Sequence, residues 1–520
     1  MKKINLILTI AFLFLGIVKG YAQPLHLVTP NNSLLLSASE GSELKLLYYG
    51  NRLADVDVSN VSDATQASYV AYPVYGLNCP SESALAVVHA DGNMTLQMVV
   101  DKVSMTEDSD AVITKIALKD KVYPFYVNIC YKAYKKVDII ESWTEISHDE
   151  KKNVTLNRFA SAYLPIRRGD VWLSHLYGSW ANEGNLMQEP LKAGVKTIKN
   201  KDGVRNSHTA HAEVMFSLDG KPMENSGNTI GAALCYSGNY KLSIDTDDSE
   251  YHHFYAGINE DNSEYHLKKG EIFVTPALAL TYSSEGLSGC SRNFHRWGRN
   301  YKLAHGNVPR KILLNSWEGV YFDINETGMN QMMEDIASMG GELFVMDDGW
   351  FGDKYKRNSD NSSLGDWVVD TQKLPGGISK LVSDAKNHGI RFGIWIEPEM
   401  ANTTSELFEK HPEWFSEIDG ERKRNTQLCL TNEALVDEAE KILTSKCNLE
   451  EFGRLLDYTW KLKRGISAGI STDSIERCPN IRGSSCEVEK VNSGLMFSFF
   501  RARAKASFCV LSDTLQPITL

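Results

Sequence analysis

Two adjacent carboxylates, Asp347 and Asp348, follow the apolar run Leu343-Phe344-Val345-Met346 and precede Gly349, Trp350 and Phe351. An apolar run that breaks abruptly into acids, a glycine and aromatics reads as a parallel strand buried on both faces and ending at a mouth. Ionised carboxylates accept hydrogen bonds from vicinal hydroxyls, and an indole covers the apolar C–H face of a sugar ring. An acid pair beside Trp350 therefore suits a carbohydrate. On these residues alone, capping of the next helix is an equal alternative. Neighbours on a strand point to opposite faces, so the two aspartates are expected to bind a ligand rather than to share catalytic work.

The elements that must position this pair repeat along the chain. A strand is predicted over residues 312–314, ending in Asn315-Ser316-Trp317-Glu318, and a helix over Gly328–Ser338. The strand Leu343–Met346 follows, then a helix over Ser379–Asn387 and a strand over Ile390–Trp395 that ends in Glu397-Pro398-Glu399-Met400. Strand, polar loop and helix in that order imply βαβ crossovers and a parallel sheet. An open doubly wound sheet would carry a glycine-rich phosphate turn, and this stretch has none. A barrel starting near Lys311 is expected, with its acidic strand ends on the functional face.

Residues 23–285 have a different texture, with short alternating runs such as Ala84–His89 and Thr95–Val100 separated by turn signals at Asp91-Gly92 and Asp219-Gly220. A large all-β sandwich of two sheets is expected, its many aromatics serving mostly as core. Residues 286–310 read as a helical linker, with Phe294, His295, Trp297 and Tyr301 at helix-like intervals and His295 as a packed histidine rather than a base.

A chain of 520 residues has room for two or three domains. Its net charge of −11, without a long basic block, excludes nucleic acid and an anionic membrane surface as partners. Residues 1–22 have the basic, apolar and small-residue parts of a secretory signal, so export to a periplasm or the exterior is expected. The nine cysteines are odd in number and lack the paired spacing of a zinc site, so neither disulfide staples nor a metal or other cofactor is expected.

Five stretches together resemble the α-galactosidases (melibiases) of glycoside hydrolase family thirty-six. They are Asn315–Glu318, Met346–Phe351, Ser363-Leu364-Gly365-Asp366-Trp367, Gly393–Met400 and Arg424-Asn425. The β-rich half is similar to that family's N-terminal domain around Trp180, Ser207-His208, Gly270–Tyr282 and Arg292–His295. The resemblance implies a multidomain β plus α/β chain, an N-terminal β-supersandwich followed by an incomplete (β/α)8 TIM barrel over residues 311–445. It also implies removal of terminal α-linked galactose with retention of configuration. Trp317, Asp347, Asp348, Trp395 and Arg424 carry over as substrate contacts. Family members are often oligomeric, which makes a homo-oligomer an expectation to test.

Retaining chemistry needs two carboxyl groups about 5 to 5.5 Å apart. The family takes its nucleophile from a Lys-Trp-Asp motif and its acid/base from a later loop, and neither motif is found here. Where Lys-Trp-Asp is due, the chain reads Tyr458-Thr459-Trp460-Lys461-Leu462-Lys463. Residues 446–520 carry a surplus charge of +3, against −14 for the rest, and hold Cys447, Cys478, Cys486 and Cys509. This tail is read as aberrant, translated out of frame. Leu511–Leu520 can be encoded by triplets that, shifted by two bases, give a run close to the family's Thr-Ser-Asp-Asn-Thr.

The expectation is an α-galactosidase by descent that is inactive as this chain. The alternatives are an α-N-acetylgalactosaminidase of the same family and a galactose-binding fragment without turnover. Translating the coding DNA in all three frames is expected to reveal Lys-Trp-Asp after residue 445, and its absence from every frame sinks the frameshift.

Overall fold

The alternation that predicts strands also decides which faces meet. In Ala111–Asp120 and Phe125–Tyr134 the buried positions recur at every second residue, so Ile116, Leu118, Val127 and Ile129 share one inward face. The computed structural model describes residues 24–61, 69–76, 82–166, 169–179, 181–203, 209–397, 400–415 and 425–427, and divides into two units, 1–302 and 303–520. The signal-like segment 1–22, the tail 446–520, Trp180 and Ser207-His208 lie outside the described residues.

The first unit is a β-supersandwich. A ten-stranded antiparallel sheet runs from Asn182–Pro190 at one edge to Met98–Glu107 at the other, and a six-stranded sheet is built around Val154–Ile166. Edge-to-face ring pairs join the two sheets. Phe216 meets Phe254 at 5.0 Å, and Phe159 meets Phe273 at 4.9 Å.

Two features depart from the two-sheet, all-β expectation. Leu25–Val28, Asn32–Ser37, Lys45–Asn51 and Tyr69–Val70 form a separate four-stranded sheet, and Asp55–Asn60 is a short helix. Asp55 and Asp57 sit in the helix's first turn, where carboxylates complement the positive end of the helix dipole.

The segment read as a linker begins with the helix Gly286–Trp297, packed on the sheet strands Leu278–Ser283 and Thr229–Leu234. The close approach requires Gly231, where a Cβ would lie 2.8 Å from the Phe294 ring. His295 is exposed on the outer face of this helix, which corrects the expectation of a packed histidine. Trp297 is the buried member of that run. Its indole donates to Glu141 at 3.1 Å, and Tyr134 Oη at 2.9 Å and Lys302 Nζ at 2.6 Å share the same buried carboxylate.

The second unit contains a three-stranded parallel sheet, Leu313–Asn315, Leu343–Met346 and Arg391–Ile394, in register Asn315 to Val345 and Val345 to Gly393. The helices Glu326–Ser338 and Gly377–Asn387 fill the two crossovers, so the barrel is incomplete among the described residues. The first helix starts at Asn325, whose side chain accepts from the Gly328 amide at 2.8 Å. Both helices pack one apolar face on the sheet. Met329, Met333, Leu381 and Ala385 cover Phe344, Met346, Phe392 and Ile394. These strands and helices match the sequence expectation to within a few residues at their ends.

Phe344 is fully buried at the centre of this layer. Replacing it by alanine is expected to cost about 3–5 kcal/mol, read as a lower urea midpoint for the second unit while the sandwich transition stays in place.

Candidate active site

The three parallel strands end together, and their next residues form the site. Asn315 closes the first strand, with its Nδ2 donating to Asp347 Oδ2 at 2.6 Å and its Oδ1 accepting from the Trp317 amide at 2.7 Å. Buried Ser316 continues the ladder through its amide to Val345, and its hydroxyl accepts from the Asp347 amide at 3.0 Å. Asp347 Oδ1 also accepts from the Asp348 amide at 2.8 Å. One bond on each oxygen leaves this half-buried carboxylate with spare acceptor sites. Burial raises its pKa above the ordinary aspartate value, and the Asn315 hydrogen bond opposes that rise.

Asp348 turns the other way, into the loop that follows. It is 5 % exposed and meets Arg357 in a two-pronged ion pair, Nε to Oδ1 at 2.9 Å and Nη2 to Oδ2 at 2.6 Å. Burial pushes its pKa up while the guanidinium pulls it down, with burial the larger influence. The turn after it needs Gly349, at φ +109°, because a Cβ there would lie 2.9 Å from Phe322 Cα. The two aspartates therefore have different partners, as neighbours on a strand should, and neither caps a helix.

Lys373 closes the turn from below. Its ammonium donates to the carbonyls of Phe322, Gly349 and Arg357 at 2.9, 2.8 and 3.1 Å, which uses all three of its protons. Burial lowers its pKa from the usual lysine value.

The aromatic residues divide by exposure. Trp317 is half-buried, edge-on to Tyr321 and Phe322, and Trp395 is half-buried with its ring edge-on to Trp367 at 6.0 Å. Trp350, read from sequence as the sugar platform, is 5 % exposed. Its ring packs on Phe351 and Trp367, and its indole donates to the Trp395 carbonyl at 3.0 Å. Trp350 is thus a core residue, whereas Trp317, Trp367 and Trp395 are half-buried.

Asp366, in the Gly365-Asp366-Trp367 stretch, has a structural task. Its two oxygens accept from the Glu406 and Leu407 amides, each at 2.9 Å, at the start of the helix Glu406–Lys410. Arg424 lies outside the described residues, as do Pro398 and Glu399, although the backbone of Asn425–Gln427 pairs antiparallel with Met400–Asn402. Among the described residues no cluster of His, Cys, Asp or Glu is arranged to hold a metal ion.

Residues 272–473 match the Melibiase family and residues 42–268 match the Glycosyl hydrolase family 36 N-terminal domain. The chain belongs to glycoside hydrolase family 36. It is 32 % identical over 368 residues to the bifunctional α-galactosidase/sucrose kinase AgaSK of Mediterraneibacter gnavus, covering 69 % of this chain and 38 % of that protein. It is 34 % identical over 310 residues to α-galactosidase AgaA of Geobacillus stearothermophilus, covering 59 % of this chain and 42 % of the relative. Among solved structures it is similar to an AgaA variant in complex with stachyose, with a TM-score of 0.73 and 26 % identity over 81 % of this chain and 63 % of that one. The galactosidase domain of AgaSK gives a TM-score of 0.71 at 28 % identity, over the same share of each chain. This family 36 chain thus spans half or less of the length of the curated relatives named here.

Sequence reasoning passed over Arg357, Lys373 and Asn402. Arg357 ends the basic run Lys354-Tyr355-Lys356-Arg357, which reads as a solvated loop, and no local pattern separates its one buried member from the rest. For Asp366, replacement by alanine is expected to speed amide hydrogen exchange at Glu406 and Leu407 and to cost about 1 kcal/mol of stability, while Asn315 and Asp347 keep their protection.

Proposed function

We propose that this chain holds the galactose-recognition half of a retaining α-galactosidase and binds terminal α-linked galactose on raffinose-type oligosaccharides or polysaccharide side chains. The observation that carries the reading is the joint ending of three parallel strands, the central one in Asp347 and Asp348 and the outer two leading to the half-buried rings of Trp317 and Trp395. Carboxylates with free acceptor sites take hydrogen bonds from sugar hydroxyls, while half-exposed indoles cover the C–H face. Complexes of AgaA with stachyose and with raffinose support this substrate class.

Turnover is a separate matter. A covalent glycosyl intermediate needs a nucleophilic carboxylate and a second carboxyl as acid and base. The sequence carries neither of the family's motifs for those roles, and the two aspartates of the site are neighbours on one strand end that turn to different partners. The reading is therefore binding without hydrolysis, in an exported protein whose N-terminal charge and hydropathy pattern fits a secretory signal.

Two measurements on the purified chain test this. A chromogenic α-galactoside is expected to show no release above a buffer blank, whereas calorimetric titration with galactose is expected to show saturable binding. Asp347→Asn is expected to weaken that binding by about tenfold or more, the loss of one charge-assisted hydrogen bond. Hydrolysis well above the blank would refute the claim of lost turnover, and absence of binding would refute the pocket itself.

A further inference from the structure

The guanidinium of Arg357 is 2 % exposed although its neighbours Asp353, Lys354, Asn358 and Asp360 are exposed loop residues. Besides its two bonds to Asp348, its Nη1 donates to the Ser362 carbonyl at 3.0 Å and to Asn402 Oδ1 at 3.1 Å. The rings of Phe322 and Phe351 lie 5.3 and 5.7 Å from its central carbon. Such a group has one orientation.

A buried ion pair is poor evidence for stabilisation, because desolvating both charges costs about as much as their attraction returns, and apolar residues of similar volume often serve as well. The position of this pair is more informative than its energy. It engages the carboxylate at the end of the central strand of the sheet and takes one acceptor site on each oxygen, and the Gly349 amide bonds to the same carboxylate. Lys373 holds the same unit from the backbone side, through the carbonyls of Gly349 and Arg357.

We propose that Arg357 is a positioning residue for sugar binding, which sets the plane of the Asp348 carboxylate and keeps it anionic so that its remaining acceptor site takes a galactose hydroxyl. The inference rests on the galactose-pocket reading above and adds a residue to it. The charged groups facing Asp348 are Arg357 and Asp360 from the loop, Asp347 on the same strand end, and Lys373 from the segment before the second helix. Burial and Asp360 favour the protonated acid, whereas Arg357 and the Gly349 amide oppose it. Removing the guanidinium therefore raises the Asp348 pKa further, and the acceptor form is lost as pH falls through that raised value.

The test is galactose titration by calorimetry across about pH 5 to 7.5, with wild type, Arg357→Gln and Arg357→Lys compared. Arg357→Gln is expected to bind less tightly at the upper end and to lose about a further tenfold on acidification, while the wild type changes by less than about threefold. Arg357→Lys keeps a cation but not the fork, and is expected to retain the wild-type pH profile at lower affinity.

Equal loss at every pH in Arg357→Gln, or no loss at all, overturns the inference and leaves the pocket reading standing. Should Arg357→Gln fail to fold, Arg357→Lys decides alone, since unchanged affinity there shows that the fork is not needed. A wild-type chain that binds no galactose at any pH removes the pocket reading and this inference together.

Discussion

A carboxylate at the end of a buried strand must be paired, neutralised or solvated, and in the second unit the pairing of Asp348 with Arg357 meets that demand. Most of the local structure follows from bringing the arginine to that point. The chain leaves the central strand, turns at Gly349 and runs through an exposed loop. It then returns so that Ser362, Asn402 and Lys373 satisfy the remaining polar groups around the pair. Asp347 does not need such a partner. It stays half-buried and bonded to Asn315, on the side where spare acceptor sites can face a ligand.

The sandwich answers a similar demand by different means. Glu141 lies buried in the ten-stranded sheet, and Tyr134, Trp297 and Lys302 all bond to it. Two of these partners belong to the helix Gly286–Trp297 and the turn that follows it, so one acid fixes the last segment of the first unit against its sheet. In both units a buried acid gathers donors, from far along the chain at Glu141 and from the following loop at Asp348, with apolar residues packed around it.

What could be read from the sequence was periodic or terminal. Leu343–Met346 was legible because a run of four buried residues bounded by polar ones has few other readings, and the two crossover helices showed their apolar stripes. The strand-end side chains of Asn315, Trp317, Asp347, Asp348 and Trp395 were legible for the same reason. The role of Trp350 was not, since adjacency to an acid pair does not say which way an indole points. Arg357 and Lys373 were hidden because their burial depends on a loop closing over about fifty residues, from Phe322 to Lys373. The separate four-stranded sheet was missed because alternation marks strands but does not assign them to sheets.

The loop from Gly352 to Asp366 is pinned at many points: Lys354 and Tyr355 bond to Glu409, the Ser363 amide to the Thr404 carbonyl, and Asp366 to the Glu406 and Leu407 amides. Arg357 anchors its middle, Lys356 reaches Asp370 at 3.1 Å, and Ser362 Oγ donates to the Lys356 carbonyl at 2.7 Å. Between these anchors, Asn358 and Asn361 are exposed. Composition at these two exposed positions can drift with little effect on the strand end, because exposed loop residues tolerate change at small cost. Asn358 and Asn361 are thus the natural places in this loop for an engineer to attach a fluorescent reporter.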